Sequence, residues 1–257
     1  QDVGDEAGVA ASLNGLGNLA YVQREYAEAR RLHEAALAIR RRLGQSAAVA
    51  GSLTNLGNVV YETGDYSAAR RLHEEALEIA RGRNDPWGIA TSLNNLGNVA
   101  FDLNDVDAAR RLHEESLRIK RELGDRWGIG ASLTNLGHVE LEGGHLPLAR
   151  RLYRKALATW THLGDRAEYA ECLEAVACLA VATDEPGAAA RFIAAAERLR
   201  CSIGSPLPAN SRARYERCTE CVRAALGHAG LEEARADRAL EPDDAVSDAI
   251  QWLEADP

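Results

Sequence analysis

The chain has 257 residues, 46% of them hydrophobic and 27% charged, with few aromatics and a formal net charge of −9. That acidic balance argues against a protein that grips a phosphate backbone, which needs a basic footprint. The five cysteines, at 172, 178, 201, 218 and 221, are odd in number and build no secreted disulfide framework, so a reducing cytoplasm is expected. The first residues lack the charged-then-apolar order of a signal peptide, and the longest apolar run, Ala175 to Thr183, is too short to cross a bilayer.

A forty-residue unit recurs along the chain. Ser52-Leu53-Thr54-Asn55-Leu56-Gly57-Asn58-Val59 returns almost unchanged at 92–99, at 132–139 with His138, and at 12–19 with Gly15. The block Ala-Arg-Arg-Leu-His-Glu follows at 29–34, 69–74 and 109–114, with Tyr153 in place of the histidine in the fourth copy. No copy of such a repeat buries its own apolar face, so the copies must stack. The sequence contains no Met, and Gly4-Asp5 aligns with the junctions Gly124-Asp125 and Gly164-Asp165, so we expect a piece of a longer protein that begins where an earlier repeat would end.

In each unit the first element is expected to be an amphipathic helix. Leu93, Leu96, Gly97 and Ala100 fall on one stripe. Gly97 costs roughly 1 kcal/mol against Ala inside a helix, and its return at 17, 57 and 137 points to close packing against a second helix. That second helix carries Val106, Ala109, Leu112, His113, Ser116, Leu117 and Ile119 at helical spacing. Turn formers separate the two, as in Thr63-Gly64-Asp65, Leu103-Asn104-Asp105 and Gly143-Gly144-His145. Asp85-Pro86 reads as an N-cap followed by proline at the first helical position, with Asp125 and Asp165 in the same place. A fifth unit is eroded, with Glu185-Pro186-Gly187 at its turn and a helix to about Ser202. A proline-bearing loop, Ser205 to Ser211, leads to helices near 212–226, 229–239 and 243–254, the last with Val246, Ala249, Ile250 and Leu253 on one face. These helices should cap the stack, because an exposed apolar end would aggregate.

Leu93, Leu96-Gly97, Ala100, Ala109, His113 and Ser116 resemble the signature of the tetratricopeptide repeat, with the aromatic of the first helix displaced by one to Tyr21, Tyr61 and Phe101. The forty-residue Asn-Leu-Gly-Asn form is similar to the repeats of kinesin light chains and spindle-orientation adaptors. The resemblance implies an all-α, right-handed α-solenoid of helical hairpins with a C-terminal helical cap. The repeats lie at about 5–44, 45–84, 85–124, 125–164 and a degenerate 165–204, so that 1–204 is the stack and 205–257 the cap. A second resemblance covers the end of the chain. Ala195-Ala196-Glu197-Arg198-Leu199-Arg200, Ile203-Gly204-Ser205-Pro206-Leu207-Pro208, Tyr215-Glu216-Arg217 and Ala224-Ala225-Leu226-Gly227 resemble the closing segment of large bacterial signal-transduction ATPases, LuxR-type regulators among them. That family often has an aromatic-rich stretch where this chain reads Leu231-Glu232-Glu233-Ala234. Its ATPase and DNA-binding parts are absent here, so neither activity transfers.

The sharpest candidate site is a set of asparagine rows. At 100° per residue, Asn95, Asn98 and Asp102 fall opposite the core stripe; Asn55, Asn58 and Glu62 repeat this, as do Asn135, His138 and Glu142, while the first copy has Asn18. In a tetratricopeptide stack the first helices line the concave groove, so these amides should form a ladder along it. Asparagine gains nothing there by helix propensity, but its carboxamide both donates and accepts, which suits an extended peptide backbone. Repeats roughly 20 Å apart and a peptide rising ~3.3 Å per residue give one grip every six or so residues. At ~1 kcal/mol per hydrogen bond, the rows support micromolar binding. The alternative is that the amides satisfy neighbouring repeats. Tyr61 and Phe101 edge the same face, either packing between first helices or framing a ligand beside Glu62, Asp102 and Glu142.

Other recurrent residues read as structural. His33, His73 and His113 stand one repeat apart, too far to share a metal ion, and are expected in the core. The Arg30-Arg31, Arg70-Arg71, Arg110-Arg111 and Arg150-Arg151 stripe reads as a solvated outer face, with Arg30 able to pair with Glu34. Trp87 and Trp127 are expected to pack over neighbouring turns; joint exposure would mark a protein contact. Cys218-x-x-Cys221 lacks the second pair of a zinc site, and Tyr215, Cys218, Val222 and Leu226 trace an apolar stripe that buries Cys218. No phosphate-binding glycine loop and no catalytic triad spacing occurs. The expectation is a non-catalytic module without metal or cofactor that binds a protein or extended peptide segment, as the sensor or interaction region of a larger bacterial signalling protein. It takes neither nucleic acid nor membrane. A self-assembly scaffold and a small-molecule inducer sensor are the alternatives.

Overall fold

The computed structural model of this chain describes residues 5–236 and 242–255. Among them every regular element is an α-helix. Five hairpins follow one another: α1 (Glu6–Val22) with α2 (Tyr26–Arg42), α3 (Ser46–Glu62) with α4 (Tyr66–Gly82), α5 (Pro86–Asp102) with α6 (Val106–Leu123), α7 (Arg126–Glu142) with α8 (Leu146–Leu163), and α9 (Arg166–Ala182) with α10 (Pro186–Ile203). The long α11 (Ala209–Ala236) and α12 (Pro242–Glu254) follow. The chain forms two compact units, Gln1–Leu123 and Gly124–Pro257. The architecture is the tetratricopeptide-type α-solenoid of consecutive hairpins.

The helix starts follow from local chemistry. The carboxylate of Asp65 accepts from the backbone N–H of Ala68 at 3.0 Å, that of Asp85 from Gly88 at 3.0 Å, and that of Asp125 from Gly128 at 2.9 Å. Each satisfies a donor that a helix N-terminus leaves orphaned. The helix ends follow a twenty-residue rhythm of left-handed backbone, from Arg24 (φ 61°) through Gly44, Gly64 and Asn84 to Asn104 (φ 60°) in the first unit. A residue in that conformation closes the turn and stops the helix.

In the first unit the core alternates between hairpin and stack. Leu53, Leu56 and Val60 of α3 meet Ala69 and Ala76 of α4 within their own hairpin, and Leu37 of α2 packs on Val49 and Leu53 from the preceding one. Leu77 of α4 then packs on Ala90, Leu93 and Leu96 of α5. The recurrent glycine has a definite occupant. A Cβ on Gly57 would lie 2.5 to 2.9 Å from the ring atoms of His73, and one on Gly97 2.6 to 2.8 Å from those of His113. Gly17 meets His33 in the same way, and Gly137 meets Tyr153 in the second unit. These histidines are buried, as expected of core residues, and each Nδ1 has no hydrogen-bond partner among the described residues. Burial holds the rings neutral: it lowers the His33 pKa, brings His73 down to about 4, and with nearby Lys120 brings His113 down to about 3.

In the second unit α11 and α12 cover α8, α9 and α10. Val246, Ala249 and Leu253 of α12 are buried, and Trp252 meets Phe192 edge-on with centroids 5.6 Å apart. This corrects the solvated reading of the arginine stripe at one position. Arg150 is buried because α12 lies on α8: its guanidinium sits 4.1 Å over the Trp252 ring and donates to the carbonyls of Trp252 at 2.6 Å and Ala255 at 3.1 Å. Arg30, Arg31, Arg71, Arg111 and Arg151 are exposed as expected, with Arg30 pairing with Glu34 at 2.8 Å, whereas Arg70 and Arg110 are half-buried. The C-terminal helices also differ in detail from expectation. One element, α11, starts at Ala209 and shortens the proline loop; Gly227, at φ 73° and ψ 172°, interrupts it near the expected break. The end of the helix expected at 229–239 lies outside the described residues, as does Gly4 of the first junction.

The ring-on-glycine contact makes a direct prediction. Gly57→Ala should destabilise the protein by about 1–3 kcal/mol through overpacking, despite the ~1 kcal/mol helix-propensity gain. Denaturant unfolding of Gly57→Ala, His73→Ala and the double variant closes the cycle: the double variant should lose clearly less than the two single losses added together. A neutral or additive Gly57→Ala would mean that the ring does not occupy this space.

Candidate functional site

In the first unit the first helices α1, α3 and α5 present the asparagine rows. Asn18 is exposed, and Asn55, Asn58, Asn95 and Asn98 are half-buried. Successive helices are joined through them. The Nδ2 of Asn55 donates to Oδ1 of Asn18 at 3.1 Å and of Asn14 at 3.2 Å, and the Nδ2 of Asn95 donates to Oδ1 of Asn58 at 3.1 Å. The amides therefore serve the stack, the use that the sequence left open beside ligand binding. They are not exhausted by it. Among the described residues the Nδ2 of Asn18 and Asn58 and the Oδ1 of Asn55 and Asn95 have no protein partner. Reversing both amides of the Asn58–Asn95 pair again leaves one donor and one acceptor over.

The acidic positions lie at the ends of the same helices. The Tyr61 hydroxyl donates to the exposed Asp102, and the Tyr26 hydroxyl donates to Glu62 at 3.5 Å. Burial raises the Glu62 carboxyl above its usual range, while Arg24 and the hydroxyls of Tyr26 and Tyr21 pull it back. Tyr61 packs on Tyr66 across its own turn with centroids 5.5 Å apart, and Tyr21 packs on Tyr26 at 5.9 Å. Phe101 is half-buried at the equivalent place.

In the second unit Asn135 is half-buried, Glu142 exposed and His138 buried. The two nitrogens of His138 lie 2.9 Å from the Tyr153 hydroxyl and 3.2 Å from an Arg214 guanidinium nitrogen, and Arg217 reaches to 4.0 Å from Glu142. Both arginines come from α11, so in the fourth hairpin this row already holds basic side chains of the same chain.

Sequence reasoning missed a polar clip near the end of the second helices. Arg40 donates to Ser52 Oγ at 2.6 Å and to Asn14 Oδ1 at 3.3 Å, and Lys120 donates to Asn94 Oδ1 at 3.1 Å. Trp160 donates to Thr134 Oγ1 at 3.2 Å, and Arg200 pairs with Glu174 in the interior. The signal was present as a polar or amphipathic residue recurring at 40, 120, 160 and 200, with Ala80 between them.

Two apolar features also face solvent. Leu16 and Leu19 of α1 are each 53% exposed, whereas the matching Leu56 and Val59 of α3 are 6% and 0% exposed. Trp87 and Trp127 are both more than half exposed, although Trp127 packs its edge on Trp160 at 5.8 Å and donates to Asp165 at 3.2 Å. Among the described residues no group of histidine, cysteine or carboxylate side chains could hold a metal ion. No helix of these residues is long and apolar enough to cross a membrane.

Comparison with known proteins agrees with this geometry. The family profile of the tetratricopeptide repeat matches residues 8–82 and 88–161. No curated protein matches the sequence. Among solved structures, BtubC (BKLC) from P. vanneervenii is 20% identical with a TM-score of 0.65, covering 79% of this chain and 85% of its own. The apo form of RapI is 18% identical at a TM-score of 0.64, covering 87% of this chain and 86% of its own. Aspartyl phosphate phosphatase F from Bacillus subtilis is 12% identical at 0.66, covering 91% of this chain and 61% of its own. At these identities the likeness is one of fold. With the profile spanning more than half of its residues, this chain belongs to the tetratricopeptide repeat family.

Proposed function

We propose that this protein-interaction repeat module binds an extended peptide segment along the first-helix face, without catalysis. The observation that carries the reading is the half-used carboxamide. Asn18 and Asn58 keep a donor, and Asn55 and Asn95 keep an acceptor, on residues that stay at least partly exposed. A peptide backbone offers the complementary carbonyls and N–H groups. Each such bond adds ~1 kcal/mol net, so the row gives micromolar affinity that side-chain contacts then raise. In the second unit Asn135 and His138 hold the equivalent places on α7.

The acidic positions set the charge of the partner. Glu62, Asp102 and Glu142 favour lysine or arginine side chains, and the α11 arginines beside His138 and Glu142 support that preference. Tyr61 and Phe101 give the aliphatic stems of such side chains an apolar edge. The likeness of the last fifty residues to large bacterial signal-transduction ATPases supports a place in a cytoplasmic regulatory protein, where the peptide would act as the signal.

A synthetic peptide library presented to the whole chain tests this reading. Captured sequences should be enriched in lysine and arginine. Replacing Asn55, Asn58, Asn95 and Asn98 together by Ala should weaken a captured peptide about tenfold or more, equivalent to ~1.4 kcal/mol. Because these amides also join the helices, Glu62→Gln with Asp102→Asn provides a second variant that alters only charge. Unchanged affinity in both folded variants would remove the peptide face.

A second reading, self-association, is favoured by α1. Leu56 of α3 shares a buried cluster with Leu37 of α2, and Val59 shares one with Ala29 and Leu32, whereas the equivalent Leu16 and Leu19 face solvent. Two copies joined through α1 would bury them. Light scattering should then show the mass rising toward a dimer with concentration, and Leu16→Glu with Leu19→Glu should keep it monomeric. A constant monomer mass for the unaltered chain would remove this reading.

A further inference from the structure

In the second unit a later helix of the same chain lies over the recognition row. In the first unit Oδ1 of Asn58 accepts from Asn95 of the next first helix. After α7 that supply stops, because α9 carries Ala175 where the third copy has Asn95 and the fourth Asn135. His138 holds the place of Asn58, and a guanidinium takes over there. Arg214 of α11 lies 3.2 Å from the His138 Nε2, which must accept because a guanidinium only donates. One turn further along α11, Arg217 reaches to 4.0 Å from the Glu142 carboxylate, one turn beyond His138 on α7. Two basic side chains thus cover two places of the row.

The helix that carries them is fastened elsewhere. Val222 and Leu231 are buried, the Tyr215 hydroxyl donates to Glu197 of α10 at 2.5 Å, and Arg235 pairs with the same carboxylate at 2.6 Å. The contact of Arg217 with Glu142 is loose by comparison. Their side chains are 66% and 46% exposed, and ion pairs so open to water contribute little. Beside them a solvent-open cavity of about 320 Å³ lies between α7, α9 and α11, with Glu142, Leu141, Val181 and Ala182 in its wall. Apolar walls for an aliphatic stem and a carboxylate for its charged head suit a lysine or arginine side chain arriving from outside.

We propose, resting on the peptide-binding reading of the first-helix face, that Arg214 and Arg217 are an intramolecular stand-in for the basic side chains of the ligand. They hold the second-unit part of the face closed until a ligand displaces them. Displacement leaves α11 in place, since two side chains have only to turn away from α7. The ligand then gains the Glu142 carboxylate and the acceptor of His138. Until that happens its apparent affinity is reduced by the fraction of molecules in which the arginines occupy the site. Their charge also repels a basic ligand directly.

The test uses a fluorescein-labelled peptide of alternating arginine and alanine, titrated with the whole chain at ~0.15 M salt and followed by fluorescence anisotropy. Arg217→Ala should bind it about threefold tighter, and Arg214→Ala with Arg217→Ala about fivefold or more. The first substitution is at an exposed position, so the fold is retained, which circular dichroism checks. Arg212→Ala with Arg223→Ala removes two exposed charges from the same helix and should leave the affinity within about twofold. Adding Glu142→Gln to Arg217→Ala should cancel the gain, because the uncovered carboxylate is what the probe takes. Equal or weaker binding by Arg217→Ala, the same gain from the Arg212 and Arg223 pair, or a gain that survives Glu142→Gln would each overturn the proposal. One outcome separates it from the peptide face itself. If the probe loses affinity when Asn55, Asn58, Asn95 and Asn98 become Ala, while Arg217→Ala changes nothing, the face stands and α11 is a cap alone. No binding by the unaltered chain or any variant would remove both.

Discussion

The first four hairpins of this chain are held together by a ring lying where a side chain would otherwise stand. Gly17, Gly57 and Gly97 surrender about 1 kcal/mol each in helix propensity, and the space they leave admits His33, His73 and His113. The exchange closes the two helices to a separation that no other residue at the glycine allows. It also dictates the protonation state of the ring: a buried imidazole with an unbonded Nδ1 is tolerable only when neutral. Where the fourth hairpin uses Tyr153 instead, the larger ring carries a hydroxyl that needs a partner, and His138 stands beside it at 2.9 Å.

From that contact the remaining order follows. Tight hairpins set the leucine stripe of each first helix against the preceding second helix, as Leu37 and Leu77 show. The opposite stripe, with its asparagines, is then left to bridge first helix to first helix. A carboxamide suits this position because it has four hydrogen-bonding sites, and the helix-to-helix bridges use only some of them. The same side chain thereby contributes to the stack and remains available for recognition. Serine or alanine in its place would offer one role or neither.

Much of this was legible in the sequence. The forty-residue period, the turn residues and the aspartate caps placed the helices, and the glycine spacing announced a close contact whose partner, the histidine, was already assigned to the core. What escaped were interactions between residues that no short period relates. The bridge between Asn55 and Asn18 depends on the rotation of one hairpin against the next, and the bond from Lys120 to Asn94 on how far a long side chain reaches across its own hairpin. Arg150 belongs to a stripe that reads as exposed, and only the placement of α12 on α8 buries it. Likewise nothing in the spacing of His138 and Arg214 reveals that α11 returns to lie beside α7.

The account stands or falls on the three rings being enclosed and uncharged. Carbon-detected NMR titration of the His33, His73 and His113 side chains measures this directly. Their folded-state pKa values lie below the unfolded value of about 6.5, so the stability they hold is complete above that pH and is lost as the pH falls toward the folded values. The resonances should therefore stay flat through pH 6.5, with His73 changing only near a pKa of about 4 and His113 near about 3, unless acid unfolding intervenes first. Rings that titrate with midpoints near 6.5 in the folded protein would place them in water and contradict the hairpin packing.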